Sequence, residues 1–420
     1  MRLPEDSDRA RTLSFLRWIP GLRECVFLLP VLFVLFSGCD MRLKTAAPGT
    51  AAPSQVAEKA VAVFPDDLDF DSLEKALTAS LRYYDSLSSS TEYPLGKRRV
   101  NIRELQESLG LFRDILRSPN PWPEREREIL RSFDFVPSEG LDGKGTVLFT
   151  GYFESVLEGS LTRTDRFRYP LYKIPQDALV VNLGKFNARF QGERIIGRRE
   201  KSELLPYYSR DDIDRRGVLA GHGLELLWVD DPVDLFLLHV QGSGIVRLGG
   251  NRIVRVHGIA SNGRPYRSIA RNLADRGLIS AGDTAYRNFK TYLRGLEPGE
   301  LQQVLGYNER YIFFRFVEEG PVGSLGFPVT AGRSIATDPD VFPEGALAFV
   351  KLRKPVVDAA GQVLEWKPMS RFVLNQDRGS AIKGPGRVDL FCGTGRDAEM
   401  LAGSFKERGE LFFLLKKSER

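Results

Sequence analysis

The stretch "QDRGSAIKGPGRVDLFCGTG", residues 376–395, places two acids, Asp377 and Asp389, among glycines and an apolar run. The short apolar run around Asp389 is typical of a strand bounded by turns. Asp is disfavoured in strand interiors, and it is costly to bury unless it is paired or protonated. Asp389 therefore requires either a structural partner or a chemical role.

A third acid, Asp338 in "SIATDPDVF", also stands where a predicted strand meets a turn. Asp often accepts hydrogen bonds from turn N–H groups, so each acid has a structural explanation. The surrounding glycines favour a site, because they let backbone or a ligand approach closely. Val388, Leu390 and Phe391 flank Asp389. Such an apolar setting raises a carboxyl pKa towards the value that a general acid needs.

Apolar runs of strand length surround this stretch. They include "TVLFTGYFESVLEGS", "ALVVNLGKF", "LELLWVDDPVDLFLLHVQGSG" and "RIVRVHGIASNGRPY", and later "RYIFFRFVE", "ALAFVKLRKPVV", "RFVLNQD" and "ELFFLLKK". Their lengths and turn residues predict a β-barrel or sandwich. Helices are predicted for "SIARNLADRGLIS" and "YRNFKTYLRGL". The predicted fold class is mainly β, with peripheral helices.

Two further helices are predicted before the strands. After residue 66, apolar residues recur at helical spacing, with Asp71 or Ser72 as the predicted N-cap. A second helix is predicted over about residues 101–117. The apolar stripes of both helices are interpreted as core-facing.

The amino terminus resembles a secretory leader. Arg17 and Arg23 precede the apolar run "VFLLPVLFVLF", residues 26–36, which is short for a membrane span. The following "LFSGC" resembles a lipoprotein cleavage box that makes Cys39 the lipidated first residue. Residues 1–38 are thus predicted as a lipoprotein signal peptide and residues 39–63 as a flexible linker. An uncleaved anchor and a plain signal peptide are the alternatives.

The composition argues against several kinds of site. The formal net charge is +5, with both signs interspersed, which is unlike a nucleic-acid-binding stripe. Cys25 belongs to the leader and Cys39 to the lipidation box, so Cys392 has no intrachain partner for a disulfide. With three His in the chain, a zinc site is not expected. We predict no metal, no cofactor and no nucleic-acid partner.

Over about residues 151–415 the sequence resembles the membrane-bound lytic murein transglycosylase A family, whose carboxyl-terminal part is called the three-aspartate domain. The resemblance rests on ordered blocks: "GYFES", "RYPLYKIP", "LHVQGSGIVRL", "RVHGIASNGRPY", "GPVGSLGFPVTAGRSIATDP" and "DRGSAIKGPGRVDLFCGTG". The last two are highly specific, whereas "GSG" alone carries little information.

The resemblance implies cleavage of the β-1,4 bond between N-acetylmuramic acid and N-acetylglucosamine in peptidoglycan. The C6 hydroxyl of the muramic acid attacks in place of water and leaves a 1,6-anhydro ring, so one carboxyl group suffices as acid and then base. The family's catalytic acid maps onto Asp389, and Asp377 and Asp338 match its supporting acids. Cys392 departs from the aromatic residue frequently found there. Lys383 is left outside the catalytic set, since a nearby cation lowers a carboxyl pKa.

The fold implied by the resemblance is a double-psi β-barrel with a second β domain inserted and a groove between them. The barrel would comprise residues 64–156 and 318–420, with the three-aspartate region at 318–420, and the insert residues 157–317. Candidates for binding glycan, by their polar or aromatic groups, are Tyr152, Phe153, Glu154, Gln241, Gly242 and Ser243.

Two other functions remain open at this point. One is a non-catalytic cell-wall-binding lipoprotein, because fold does not fix function. The other is a two-carboxylate glycoside hydrolase that uses Glu154 or Asp377 as base.

The expected location is the cell envelope, with the protein facing the periplasm and held to the membrane by its lipid anchor. The outer membrane is favoured over the inner, although Asp40 after Cys39 leaves this open. Glycan strands are the expected partner, besides cell-wall synthesis or division proteins that the sequence does not specify.

Overall fold

Helices begin the part of the chain that the computed structural model describes, which comprises residues 66–279, 286–359 and 361–418. Cys39, the predicted leader and the predicted linker lie outside the described residues. The first helix is α1 (Phe70–Asp85), and its N-cap is Asp69, which accepts a hydrogen bond from the Ser72 N–H at 2.7 Å. The predicted caps, Asp71 and Ser72, are therefore wrong, because the helix begins one residue before them and Ser72 supplies the donor.

The second helix, α2 (Ile102–Arg117), agrees with its prediction. Asn101 and Glu104 form a reciprocal capping box at its start. A third helix, α3 (Trp122–Ser132), was not predicted. Buried apolar residues of all three helices pack on the main core.

Strands are the main regular structure of the described residues. They are β1 (Glu92–Leu95), β2 (Arg98–Asn101), β3 (Phe133–Pro137), β4 (Val147–Ser160), β5 (Tyr169–Tyr172), β6 (Ala178–Asn182), β7 (Arg194–Glu200), β8 (Glu203–Pro206), β9 (Glu225–Val229), β10 (Ser243–Leu248), β11 (Arg252–Ser261), β12 (Ile312–Val317), β13 (Ser334–Ala336), β14 (Leu347–Val357), β15 (Val363–Asp377), β16 (Arg387–Thr394) and β17 (Lys406–Lys416). The mainly β class with peripheral helices is confirmed.

Six of these strands close into a ring, in the order β4–β16–β13–β15–β14–β17 and back to β4. The β4–β16 and β13–β15 pairs are parallel, and the remaining pairs are antiparallel. Apolar side chains of the ring, such as Phe149 and Leu390, are buried in the main core. Because β4 pairs on both sides, the ring has no free edge along its paired length.

The strand β4 continues beyond the ring into a second sheet. Its later residues pair with β10 in parallel and with β9 in antiparallel orientation. The resulting order is β12–β11–β10–β4–β9–β5. One long strand therefore belongs to both β layers. A separate small sheet has the order β6–β7–β8, and β1 pairs with β2.

Helix α4 (Pro232–Gln241) lies where the sequence analysis expected a continuous strand region, "LELLWVDDPVDLFLLHVQGSG". That prediction is right for β9 and β10 and wrong for the residues between. The Asp231 side chain caps the helix by accepting from the N–H groups of Val233 and Asp234. Pro232 occupies the first turn, and Gly242 ends the helix with φ +85°.

Four more helices complete the described part of the chain. Helices α5 (Ile269–Asp275) and α6 (Tyr286–Arg294) agree with prediction, whereas α7 (Pro298–Gly306) and α8 (Arg396–Ser404) were not predicted. Helices α4 to α7 share a second apolar core. Helix α8 packs on β4 through Ala398 and Ala402. None of the helices in the described residues is long and apolar enough to cross a membrane.

Candidate active site

A cleft of about 640 Å³ lies between the ring and the second sheet. Its ring side is formed by the residues Thr150, Gly151, Tyr152, Ala336, Asp377 and Asp389 together with the loop 378–382. Its other side is formed by residues near the second sheet, among them Gln241, Gly242, Ser243, His257, Arg310 and Arg315. Both β layers therefore contribute to one site.

Asp389 lies inside β16 on the ring side of the cleft. In the sheet, Asp389 is paired with Thr150 of β4 on one side and with Ala336 of β13 on the other. Its Oδ1 atom is buried and has no hydrogen-bond partner among the described residues. Burial raises the pKa of Asp389 to about 6; Arg387 opposes this rise and Asp377 adds to it. Asp389 is therefore a carboxyl group that can hold and release a proton near neutral pH.

Asp377 ends β15 and is held by three donors. The Tyr152 hydroxyl donates to its Oδ2 at 2.9 Å, and the N–H groups of Ser324 and Arg378 donate to its Oδ1 at 2.9 and 2.8 Å. Burial raises the pKa of Asp377, while these hydrogen bonds partly offset the rise. Both oxygens are thus engaged, unlike Oδ1 of Asp389.

Ala336 separates the two acids. In the sheet, Ala336 of β13 is paired with Asp377 of β15 on one side and with Asp389 of β16 on the other. The Cα atoms of the acids are therefore two strand spacings apart, about 10 Å. The short Ala side chain between them leaves space for a ligand above β13.

Asp338 is 4% exposed and is not among the residues that line the cleft. Lys383 donates to its Oδ1 at 3.0 Å, and the Gly384 N–H donates to its Oδ2 at 2.8 Å. Burial raises the pKa of Asp338, but the hydrogen bonds from Gly384 and Lys383 outweigh it, so the net pKa is lowered. Lys383 thus pairs with Asp338, in line with its omission from the catalytic set.

Four of the six predicted glycan-binding residues line the cleft: Tyr152, Gln241, Gly242 and Ser243. The structure does not bring Phe153 and Glu154 to it. Phe153 is 3% exposed and packs against α8. Glu154 is 1% exposed and accepts a hydrogen bond from the Thr394 hydroxyl at 2.7 Å. In both cases burial within the packed structure, and not the residue type, decides the location.

Gly151, next to Tyr152 on β4, is required by the same packing. A Cβ atom there would lie 2.8 Å from both the Cα of Ala402 and the Sγ of Cys392. Cys392, which replaces the aromatic residue expected from the resemblance, is half-buried, and burial raises the pKa of its thiol. The thiol therefore contributes packing between β16 and α8 and is not activated as a nucleophile.

Sequence reasoning missed several residues of the cleft, notably His239, His257, Arg310 and Arg315. His239 is on α4 and Arg310 precedes β12, so tertiary folding alone brings them together. The sequence feature that could have indicated these residues is the presence of Arg and His side chains within apolar segments. Within the described residues, no group of three or more His, Cys, Asp or Glu side chains is placed to hold a metal ion.

Two family models match the chain: the MltA specific insert domain over residues 148–315 and the 3D domain over residues 333–415. The crystal structure of MltA from Neisseria gonorrhoeae is 31% identical with a TM-score of 0.61, over 83% of this chain and 90% of that one. The membrane-bound lytic murein transglycosylase from Agrobacterium tumefaciens has a TM-score of 0.69 at 27% identity, over 84% and 97% of the two chains. Membrane-bound lytic murein transglycosylase A from Vibrio cholerae is 29% identical over 66% of this chain and 67% of its own length.

Proposed function

Because the chain belongs to the membrane-bound lytic murein transglycosylase A family, we propose that it cleaves peptidoglycan glycan strands as a lytic transglycosylase. The bond cleaved is the β-1,4 bond between N-acetylmuramic acid and N-acetylglucosamine. The observation that carries the mechanism is Asp389, a half-buried acid in the cleft with pKa about 6 and an unpartnered Oδ1.

In the proposed reaction, protonated Asp389 donates its proton to the glycosidic oxygen as the bond from that oxygen to C1 of the muramic acid breaks. The resulting carboxylate then accepts the proton of the C6 hydroxyl while O6 bonds to C1. The product is a 1,6-anhydro ring, and Asp389 is again protonated. One carboxyl group serves both halves, because no water molecule enters the reaction.

Asp377 is assigned a supporting role. Three hydrogen bonds engage its two oxygens and partly offset the rise of its pKa, so it is less suited than Asp389 to exchange a proton. The hydroxyl of Tyr152 donates to Asp377, and Tyr152 lines the cleft together with Asp377 and Asp389. Asp338 supports the site indirectly, since its bonds to Lys383 and Gly384 hold the segment that leads into β16.

Product analysis tests the proposal. Purified sacculi are digested with the full chain, and the fragments are analysed by mass spectrometry. Anhydro-muramic acid ends, lighter by one water than reducing ends, are expected. Reducing ends would instead indicate a two-carboxylate hydrolase, and absence of cleavage would indicate a wall-binding protein.

The six-stranded ring is proposed to be a double-psi β-barrel, supported by its two parallel pairs, β4–β16 and β13–β15. Barrel segments 64–156 and 318–420 and the insert 157–317 follow as the proposed domains. The match to the insert model over residues 148–315 supports the second of these.

Lipidation at Cys39 is proposed to hold the enzyme at the periplasmic side of the envelope, at the outer membrane. The relatives' names describe them as membrane-bound. The Cys39→Ala variant should appear in the soluble fraction after cell disruption, with cleavage retained. Continued membrane association of that variant would rule out anchoring through Cys39.

A further inference from the structure

The acids of the cleft and most of its arginines lie on opposite sides. The two acids, Asp377 and Asp389, come from the ring. On the side of the second sheet, the charged lining residues are Arg210, Arg310 and Arg315. Arg378 of the loop 378–382 also lines the ring side, where it pairs with Glu344 at 3.4 Å. The cleft therefore has both of its acids on the ring side and three of its four guanidinium groups on the other side.

Arg310 differs from its neighbour Arg210. Arg210 is 2% exposed, and its guanidinium donates to Asp214 Oδ2 at 3.2 Å and to the Arg310 carbonyl at 2.7 Å. Arg310 is half-buried, and no acceptor contacts its guanidinium within the described residues. Burial lowers the pKa of Arg310, as expected for a cation without a counter-ion. A desolvated charge of this kind is costly unless an anion pairs with it.

An unpartnered donor belongs to another residue that lines the cleft, His239. His239 is 6% exposed, and its Nδ1 accepts a hydrogen bond from the Ile312 N–H at 3.1 Å. Burial lowers the pKa of His239 well below its usual value, so the ring is neutral and its proton is on Nε2. That Nε2 atom is buried and has no partner among the described residues. His239 and Arg310 both line the cleft.

We propose that Arg310 and the Nε2–H of His239 bind a carboxylate carried by the glycan strand. The inference rests on the proposed function, because peptidoglycan supplies the anion. A guanidinium presents paired donors that match the two oxygens of a carboxylate. Two carboxylates are available in this polymer: those of the stem peptide, and the lactyl group of muramic acid from which the peptide has been removed. The site thus selects charged glycan over neutral polysaccharide.

Binding measurements in the full-length Asp389→Asn protein test the site without turnover. The three probes are glycan strands that carry stem peptides, the same strands stripped by an amidase, and chitohexaose, which has no carboxylate. Arg310→Gln should weaken binding of at least one carboxylate probe about 10- to 100-fold, the range for a lost charge-assisted hydrogen bond. Its effect on chitohexaose should stay below about twofold. If affinity falls only for the strands that carry stem peptides, the bound carboxylate belongs to the stem peptide. If affinity also falls for the stripped strands, the bound carboxylate is that of the lactyl group.

Two further variants separate recognition from folding. Arg310→Lys should be intermediate, since it keeps the charge but not the paired donors. Arg252→Gln is the control: Arg252 is exposed on the same sheet and outside the cleft, so its loss should leave all three affinities unchanged. The melting temperature of the Arg310→Gln variant should also be no lower than that of the Asp389→Asn protein in which it is made.

Equal weakening for all three probes, no weakening for any, or a lower melting temperature with uniform loss of affinity would overturn the carboxylate site. Failure of the proposed function has a different signature. The protein with Asp389 intact would then release no anhydro products, whatever the affinities measured.

Discussion

The strand that carries Asp389 and the turn that carries Asp338 both bury a carboxyl group, with opposite results. At the turn, Lys383 and the Gly384 N–H satisfy both oxygens of Asp338, and the net pKa is lowered. In the strand, Oδ1 of Asp389 has no partner among the described residues, and burial raises the pKa to about 6. Burial alone does not distinguish the two acids.

The difference lies in whether the folded protein supplies donors for the ionised form. Donors at Asp338 make the carboxylate part of the structure, whereas their absence at Asp389 leaves a group that exchanges its proton. A strand interior helps here, because its own N–H groups are committed to the ladder with β4 and β13. At the turn, by contrast, backbone N–H groups such as that of Gly384 are not used in a strand ladder and can donate to Asp338.

The largest expected effect comes from Asp389→Asn, which keeps the shape of the side chain but removes the titrating proton. General acid–base assistance is worth about 10² to 10⁴ in rate. Because Asp389 acts first as acid and then as base, its contribution to the rate should lie at or beyond the upper end of this range. Release of anhydro-muropeptides should therefore fall about 10⁴-fold, with glycan binding retained. Asp338→Asn is the matched comparison at a supporting acid outside the cleft, and the activity of its folded protein should fall far less than that of Asp389→Asn. Near wild-type release by folded Asp389→Asn would reject the single-acid mechanism and point to Asp377.

A smaller loss is expected from Asp377→Asn. The proton donor remains, but the hydrogen bonds from Tyr152, Ser324 and Arg378 weaken. Turnover should fall about 10- to 100-fold while glycan still binds. Tyr152→Phe, which removes one of the three donors, should cost less. Complete inactivity of a well-folded Asp377→Asn protein would mean that the two acids share the catalytic role, and loss of folding would mean that Asp377 is structural.

The smallest effects concern stability, where the two acids should differ in sign. The raised pKa of Asp389 means that its stabilisation is full below about pH 4 and is lost as pH rises through about 6. Asp389→Asn avoids ionisation, so at pH 8 it should be more stable than wild type by about 1–3 kcal/mol, with no gain at pH 4.

Asp338 has the opposite dependence, because its lowered pKa gives stability above about pH 4 that is lost as pH falls through the folded-state pKa. Asp338→Asn should cost about 1–3 kcal/mol at pH 8 and less in acid. Urea melts of both variants at the two pH values measure this, and equal signs at pH 8 would contradict the contrast.

The sequence was sufficient for the β-rich class, for α2 and for the strand around Asp389, because local composition and capping residues determine these. It was misleading for α4, whose residues are buried almost all round, so that no amphipathic period marks the helix. The end signals, Asp231, Pro232 and Gly242, were present but were outweighed by the continuous apolar run.

The candidate site was only partly predictable for another reason. Tyr152 and Gln241 were found from short blocks, but Phe153 is turned into the packing with α8. Arg310 and His239 come from segments far apart in sequence, and the charge of the second-sheet side appears only when the sheets are assembled. Local patterns do not contain that information.

The strand shared between the two β layers also has a consequence for biosynthesis. The later half of β4 finds its partners β9 and β10 soon after it is made, but the earlier half waits for β16 and β17, about 250 residues downstream. Pairing over such sequence separations is slow. Until β17 emerges, the nascent chain exposes an unpaired apolar strand edge, which favours association with other chains. The tendency of the chain to aggregate during synthesis and export therefore depends on how long the earlier half of β4 stays unpaired.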